Sequence, residues 1–217
     1  MSVPITLADV LQALALSGAD GFDADAARRH MSVQPRPLAP PPGTVARQSA
    51  VLLLIYPHHD SRALHFPLMR RPDTRGVHSG QISLPGGSQE PGETTTETAL
   101  REAEEEMGIR RADVTVIGAL SPIYVPPSNF EIHPIVGTVS VAPAWLPNPA
   151  EVAELIEAPI AVLLDDSIKS ARMLEREGHS FGVRIYTIAG HEVWGATAAI
   201  LGEFELRLRA ATTGLAR

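Results

Sequence analysis

Four glutamates fall within five consecutive positions, Glu102, Glu104, Glu105 and Glu106, in the run Arg-Glu-Ala-Glu-Glu-Glu-Met-Gly at 101–108. Glutamate is a good helix former, but like charges three or four residues apart oppose a helix by a few tenths of a kcal/mol per pair, roughly. At about 100° per residue, Glu102, Glu105 and Glu106 share one sector of a helix. Glu104 points elsewhere. Leu100, Ala103 and Met107 form an adjoining apolar stripe, which is the face that seeks a core. Three carboxylates at the margin of a buried seam suit a hard divalent cation, which takes several oxygen ligands and would turn the repulsion into attraction. The alternative for any acidic run is a solvated helix face.

Positioning such carboxylates needs a helix with defined ends and a second wall. Thr94 and Glu97 fit a capping box, and Gly108 is a C-terminal stop, so the helix is expected over 93–108. The preceding Leu-Pro-Gly-Gly-Ser-Gln-Glu-Pro-Gly-Glu, 84–93, lets the backbone turn tightly and approach a charged ligand closely. Upstream, 50–56 (Ala-Val-Leu-Leu-Leu-Ile-Tyr) reads as a buried strand, and 63–71 as a second strand joined through the turn 57–62. Residues 72–87 read as loop. Further strands are expected over 114–120, 131–141, 170–177, 183–189 and 191–196, with 121–130 a loop between two of them. Residues 148–164 read as mostly helical, interrupted at Pro159, and 197–211 as a closing amphipathic helix. Residues 5–16 and 23–31 read as helices, and 34–43 as a proline-rich linker. The chain thus divides into an N-terminal helical arm with its linker, 1–45, and one domain, 46–217. Helices and strands alternate without a regular βαβ repeat, so the expected class is α/β (α+β), a mixed sheet sandwiched between helices.

The acidic run belongs to a longer pattern: Gly87, five residues, Glu93, seven residues, Arg101-Glu102, two residues, Glu105-Glu106, one residue, Gly108. This pattern resembles the Nudix box of the Nudix hydrolases. One departure is Ala103, where a bulkier aliphatic is usual; it lies on the packing stripe. The resemblance implies a Nudix-type α/β/α sandwich and hydrolysis of a diphosphate joined to another moiety. It assigns Glu102, Glu105 and Glu106 as ligands of Mg²⁺ or Mn²⁺ and as catalytic groups together with Arg101. Arg101 and Glu93 resemble the pair that braces loop against helix. The acidic constellation is intact, which weighs against the rival reading of a Nudix fold that senses a nucleotide without cleaving it.

The segment 76–87, Gly-Val-His-Ser-Gly-Gln-Ile-Ser-Leu-Pro-Gly-Gly, resembles the extension of the coenzyme A pyrophosphatase branch, as do 123–137 and 193–201. The branch pattern carries Ser where Pro72 stands and Leu-Arg where Arg75-Gly76 stands, so the basic charge comes one position early. This resemblance implies coenzyme A or its thioesters as substrate, with ADP-ribose or another nucleoside diphosphate derivative as the alternative. Arg70, Arg71 and Arg75 are candidates for binding the extra 3′-phosphate of coenzyme A, because arginine binds phosphate bidentately, and each otherwise reads as a charge at a solvated strand end. His78 and Gln81 can serve the phosphates or hold the loop, and Gly86 and Gly87 complete the substrate-binding set. Tyr124 and Phe130 read as parts of a packed loop. Glu151 and Glu154 read first as surface or helix-start charges, and second as further acids of the site.

Composition narrows the partners. Net charge is −7, with Lys+Arg totalling 18 and no basic stripe, which excludes a nucleic-acid scaffold and leaves a small nucleotide as the expected partner. Cysteine is absent, so thiol nucleophiles and disulfides are excluded. No apolar run approaches the ~20 residues that span a bilayer, and the N-terminus carries no basic segment followed by an apolar one, so a cytoplasmic location is the expectation. The apolar face of the arm has two candidate partners, its own domain or a second copy of the chain in a homodimer.

Overall fold

The computed structural model describes residues 4–31, 37, 39–73, 80–176 and 179–213. Two short helices come first, α1 (Leu7–Ala15) and α2 (Ala24–His30). Then follow β1 (Arg47–Pro57), β2 (Leu64–Arg70), β3 (Ile82–Ser83) and β4 (Gly86–Ser88), and the helix α3 (Thr95–Met107). Next come β5 (Thr115–Ala119), β6 (Ile123–Val125), β7 (Phe130–Thr138) and β8 (Glu154–Pro159). A hairpin of β9 (Lys169–Arg176) and β10 (His179–Ile188), extended by β11 (His191–Val193), leads into α4 (Gly195–Thr213). Among the described residues no helix is long and apolar enough to cross a membrane.

The strand β1 is the spine. It runs parallel to β7 from Arg47↔Phe130 to Ile55↔Thr138, and antiparallel to both β2 and β4. A strand paired on both edges and covered on both faces must be apolar throughout rather than alternating, which is why 50–56 is an unbroken hydrophobic run. Leu53 and Ile55 enter the cluster that also holds Phe204 and Leu208 of α4, whereas Leu52, Leu54 and Tyr56 enter the cluster holding Ala99, Ala103 and Met107 of α3. The mixed sheet is therefore sandwiched between α3 and α4. Ala103 is buried in the seam against β1, where its small side chain leaves room for Leu52 and Leu54.

The arm packs onto the same body. Val10 and Ala13 of α1, and Met31 after α2, join the cluster around α4, and Arg207 donates to the carbonyl of Leu16 at 2.8 Å, beyond the end of α1. Because α4 is covered on several sides, its polar residues are buried too. Glu203 accepts from Arg207 Nε at 2.9 Å and from the Ser121 amide at 3.1 Å. Glu205, with no exposure, accepts from Tyr186 Oη at 2.6 Å, Arg209 Nε at 2.6 Å and Lys169 Nζ at 2.5 Å.

Three expectations need correction. Residues 148–164 are not mostly helical: 154–159 form β8, paired along β2 from His65↔Pro159 to Arg70↔Glu154, and a 3₁₀ turn follows at Ile160–Leu164. The misleading signal is the buried trio Val152, Ile156 and Ile160. A spacing of four fits a helix, but it is also twice the strand period, and β2 had an edge to pair. Residues 72–87 are not wholly loop, since they hold β3 and the start of β4. The 121–130 segment contains β6, which pairs with β7. Such short strands exist because a neighbour supplies the ladder, which periodicity within two or three residues cannot signal.

Removing the Glu205 carboxylate takes the buried acceptor from Tyr186, Lys169 and Arg209 and leaves the two cations with only the exposed Asp166 as a shared partner. Glu205→Ala is expected to lower the unfolding free energy by about 3 kcal/mol, at the low end for broken buried pairs because both cations keep some access to water. Urea unfolding followed by circular dichroism measures this.

Candidate active site

The helix α3 is held at both ends by its own sequence. Thr94 Oγ1 accepts from the Glu97 amide and Glu97 reaches back to the Thr94 amide at 2.7 Å, the reciprocal capping box. Gly108 terminates it in the left-handed conformation, φ 74. The segment 146–148 then docks on the last turn: Leu146 N donates to the Met107 carbonyl at 3.0 Å and Asn148 N to the Glu106 carbonyl at 2.9 Å, satisfying acceptors that a helix end leaves open.

Opposite α3 stands the glycine loop. Gly86 and Gly87 pair with Val51 and Ala50. A side-chain carbon on Gly86 would lie 2.3 Å from the Ala50 carbonyl oxygen, and one on Gly87 would lie 2.4 Å from the Glu102 carboxyl carbon. Only glycine lets the loop lie this close to the sheet on one side and to a carboxylate on the other.

Between loop and helix sits Arg101, largely buried. Its Nε and Nη2 grip Glu93 at 2.7 and 3.2 Å, its Nη2 also donates to the Ser88 carbonyl at 2.9 Å, and its Nη1 holds Glu102 at 2.9 Å and Glu105 at 3.2 Å. The planar fork supplies all five donors at once, which a lysine could not do. Glu93 also accepts from the Glu90 amide at 3.0 Å and the Thr98 hydroxyl at 2.9 Å. The Arg101 bond, reinforced by these, depresses its pKa from 4.5 to about 2.

The three helix carboxylates differ in environment. Glu106 is 1% exposed. Its Oε2 accepts from the Gly86 amide at 2.8 Å, and its Oε1 lies 3.8 Å from Arg71. Burial pushes its pKa up to about 8 against the opposing pull of those two contacts. Glu102 is also raised by burial, with Arg101 opposing. Glu105 is half exposed. Glu151 stands near enough that its charge adds to the upward push on both Glu102 and Glu106, and Asn148 Nδ2 donates to it at 3.2 Å. A buried carboxylate with one oxygen held by an amide and the other 3.8 Å from an arginine, a second one flush against a glycine, and two further acids form an all-oxygen donor set. This is the set a hard divalent cation takes, so the residues fit such an ion.

The structure thus brings together Glu93, Arg101, Glu102, Glu105, Glu106, Gly86, Gly87 and Arg71. Arg70 faces away from them, paired with Asp73 at 3.1 Å and Glu154 at 3.4 Å. The Gln81 carbonyl accepts from the Arg71 amide at 3.0 Å, so this residue helps set the course of the chain beside the site. Gln81 also lines a cavity of about 370 Å³ with Arg70, His191 and Trp194. Arg75 and His78 lie outside the described residues. Tyr124, in β6, bonds Asn129 at 3.0 Å, and Phe130, the first residue of β7, lies under the Arg47 guanidinium at 4.2 Å, so both are held in strands rather than in a loop. Glu151 is exposed, as a surface charge should be, yet stands close enough to Glu102 and Glu106 for its charge to act on both. Its only local signal is Asn148 three residues earlier, a turn former that ties the segment to the end of α3.

At acid pH the Glu93–Arg101 bond should report on itself. A depressed folded pKa means its stabilisation is complete above about pH 4.5 and is lost as pH falls toward about 2. The stability gap between the parent and Glu93→Gln, read by urea unfolding, is therefore expected to be constant above about pH 5 and to close as pH is lowered.

The pattern has known counterparts. A family model described as NUDIX domain matches residues 46–176. The uncharacterized Nudix hydrolase NudL of Photorhabdus laumondii is 36% identical over 168 residues, covering 76% of this chain and 88% of that protein. The protein of the same name from Pectobacterium atrosepticum is 36% identical over 167 residues, covering 75% and 83%. Among solved structures, the Nudix hydrolase RenU from M. smegmatis superposes with a TM-score of 0.52 at 20% identity, over 77% of this chain and 86% of its own, a likeness of fold. With the matched segment taking in the glycine loop, α3 and the whole mixed sheet, the chain belongs to the Nudix family, as a hydrolase of pyrophosphate bonds.

Proposed function

We propose that the chain hydrolyses the diphosphate of coenzyme A or its thioesters, giving 3′,5′-ADP and (acyl-)4′-phosphopantetheine. The observation that carries the hydrolytic part is the Arg101 fork, which gathers Glu102 and Glu105 beside Gly87. The choice of coenzyme A is supported by the branch-like segments 76–87, 123–137 and 193–201. ADP-ribose or another nucleoside diphosphate derivative is the alternative substrate.

Glu102, Glu105 and Glu106 would hold Mg²⁺ or Mn²⁺. When bound, such an ion neutralises the diphosphate and lowers the pKa of water. The residues of the chain divide the remaining work. Glu106 is fixed by the Gly86 amide and Glu102 by Arg101, so neither reorients during turnover. Glu105 and Glu151 face solvent and are the acceptors available for the proton of the attacking water. Arg71, whose Nη2 lies 3.3 Å from the Gly86 carbonyl and beside Glu106, is placed to bind the diphosphate itself rather than a peripheral phosphate. Attack at one phosphorus breaks the bridging P–O bond, and the other phosphate leaves with the electron pair.

Carboxylate-to-amide variants separate these roles. Glu105→Gln is expected to lower kcat by orders of magnitude with folding unchanged. Glu151→Gln is expected to lower kcat while the Mg²⁺ concentration for half-activation stays put, whereas Glu106→Gln raises that concentration. Unchanged kcat in both solvent-facing variants would remove the proton-accepting assignment.

The substrate is tested by offering coenzyme A, 3′-dephospho-coenzyme A and ADP-ribose with Mg²⁺ in ¹⁸O-water and resolving products by mass. The label is expected in only one of the two products from coenzyme A. Arg71→Ala is expected to raise KM for coenzyme A and its dephospho form alike, about ten- to a hundredfold, the effect of losing one charge-assisted contact. Cleavage of ADP-ribose with none of coenzyme A would establish the alternative.

A further inference from the structure

The turn between β1 and β2 lies at the other end of β1 from the carboxylates. Gly86 and Gly87 meet β1 at Val51 and Ala50, and seven residues of extended chain carry it from Val51 to His58, about 23 Å away. The hydrolysis proposed above makes no use of this turn, Pro-His-His-Asp-Ser-Arg at 57–62. Pro, Asp and Ser are ordinary turn residues, but the paired histidines are not. Here two imidazoles and a carboxylate stand side by side, and Arg62 occupies the left-handed region at φ 58, which glycine or asparagine would adopt more easily.

The side chains converge. One ligand atom from each of His58, His59 and Asp60 lies within 4.8 Å of the other two, and His59 Nε2 is 3.0 Å from Asp60 Oδ2. The His58 ring has His59 at 4.6 Å on one hand and His65, from the returning strand, stacked at 4.5 Å on the other. His65 Nδ1 must be a donor, since its partner at 3.0 Å is the Ala63 carbonyl. That bond leaves the Nε2 lone pair available, the arrangement by which metal-binding histidines are oriented. His58 Nδ1 accepts from the Asp60 amide at 3.3 Å, a long bond that a cation at that nitrogen would replace.

We propose that His58, His59 and Asp60 bind a divalent transition ion of the zinc class, with the stacked His65 ring holding His58 in place. The donor set decides the ion: imidazole nitrogen selects zinc, nickel or copper, whereas the all-oxygen set on α3 selects magnesium or manganese. The His59 and Asp60 side chains are 67% and 77% exposed, so the ion enters from solvent. Once bound, it ties three consecutive residues together and clamps the hairpin turn. It takes no part in hydrolysis, and the proposal stands or falls independently of the substrate.

Equilibrium dialysis with Zn²⁺ in excess Mg²⁺ tests this on the full chain. The parent is expected to take up one Zn²⁺ in the micromolar range at this turn, and His58→Gln/His59→Gln to lose that affinity by about tenfold or more. Zn²⁺ should also raise the thermal midpoint of the parent alone. Equal uptake by the two proteins, or a parent affinity no better than millimolar, overturns the site. A readout without variants uses Cu²⁺ broadening of imidazole proton signals. The His58 and His59 signals should broaden before those of His133 and His191, and even broadening across the histidines refutes the proposal.

Discussion

The active site depends on one guanidinium. Arg101 sits in a narrow space between the glycine loop and α3, where it bonds Glu93 and the Ser88 carbonyl on the loop side and Glu102 and Glu105 on the helix side. Without it, Glu102 and Glu105 would repel each other and the loop would have no polar anchor on the helix. Its own burial is tolerable because every N–H has an acceptor, the condition under which a buried charge is stabilising rather than costly. The same bonds hold its pKa well above the ordinary range, so the fork stays charged, and it is protonation of its carboxylate partners at acid pH that weakens this support.

Around that fork the fold places carboxylates in graded environments. Glu106 is sunk against the Gly86 amide, Glu102 is tucked under Gly87, and Glu105 and Glu151 remain at the surface. Burial first, and the neighbouring carboxylates second, disfavour the charged forms of Glu102 and Glu106, as their raised pKa values record. Local strain of this kind is common where a site is built to receive a ligand. The compensation comes from elsewhere: β1 buried on both faces, and α4 wrapped by the arm and the β9–β10 hairpin with its acids paired.

The two arginines at the end of β2 have different surroundings. Arg71 lies beside the Gly86 carbonyl and Glu106, where the glycine loop meets α3. Arg70, one residue along, faces away and is neutralised by Asp73 and Glu154, so it has little charge to spare for an additional phosphate. Consecutive residues on an extended chain point to opposite faces, which is why two adjacent arginines have different partners.

Much was legible in the sequence. The helix over α3 with both its caps, the continuous apolar strand β1, the two arm helices and the Glu-Arg-Glu spacing all arise from local rules: a side-chain period, a capping pair, a glycine where φ is positive. Each can be read within a dozen residues, and each holds in the structure. What the sequence left undecided depends on partners far along the chain. Residues 154–159 became a strand because β2 offered an edge, and the spacing of Val152, Ile156 and Ile160 satisfies both periods at once. Glu151 drew near the site because the 146–148 segment hooks onto the end of α3. Arg71 turned toward Glu106 and Arg70 away from it because β2 ends where it does. The sequence by itself determined the helix α3 and the spacing of carboxylates and arginine along it. The tertiary structure alone decided how deeply each carboxylate is buried and which charges face it, because burial and charge proximity depend on contacts between residues distant in the chain, which no local period encodes.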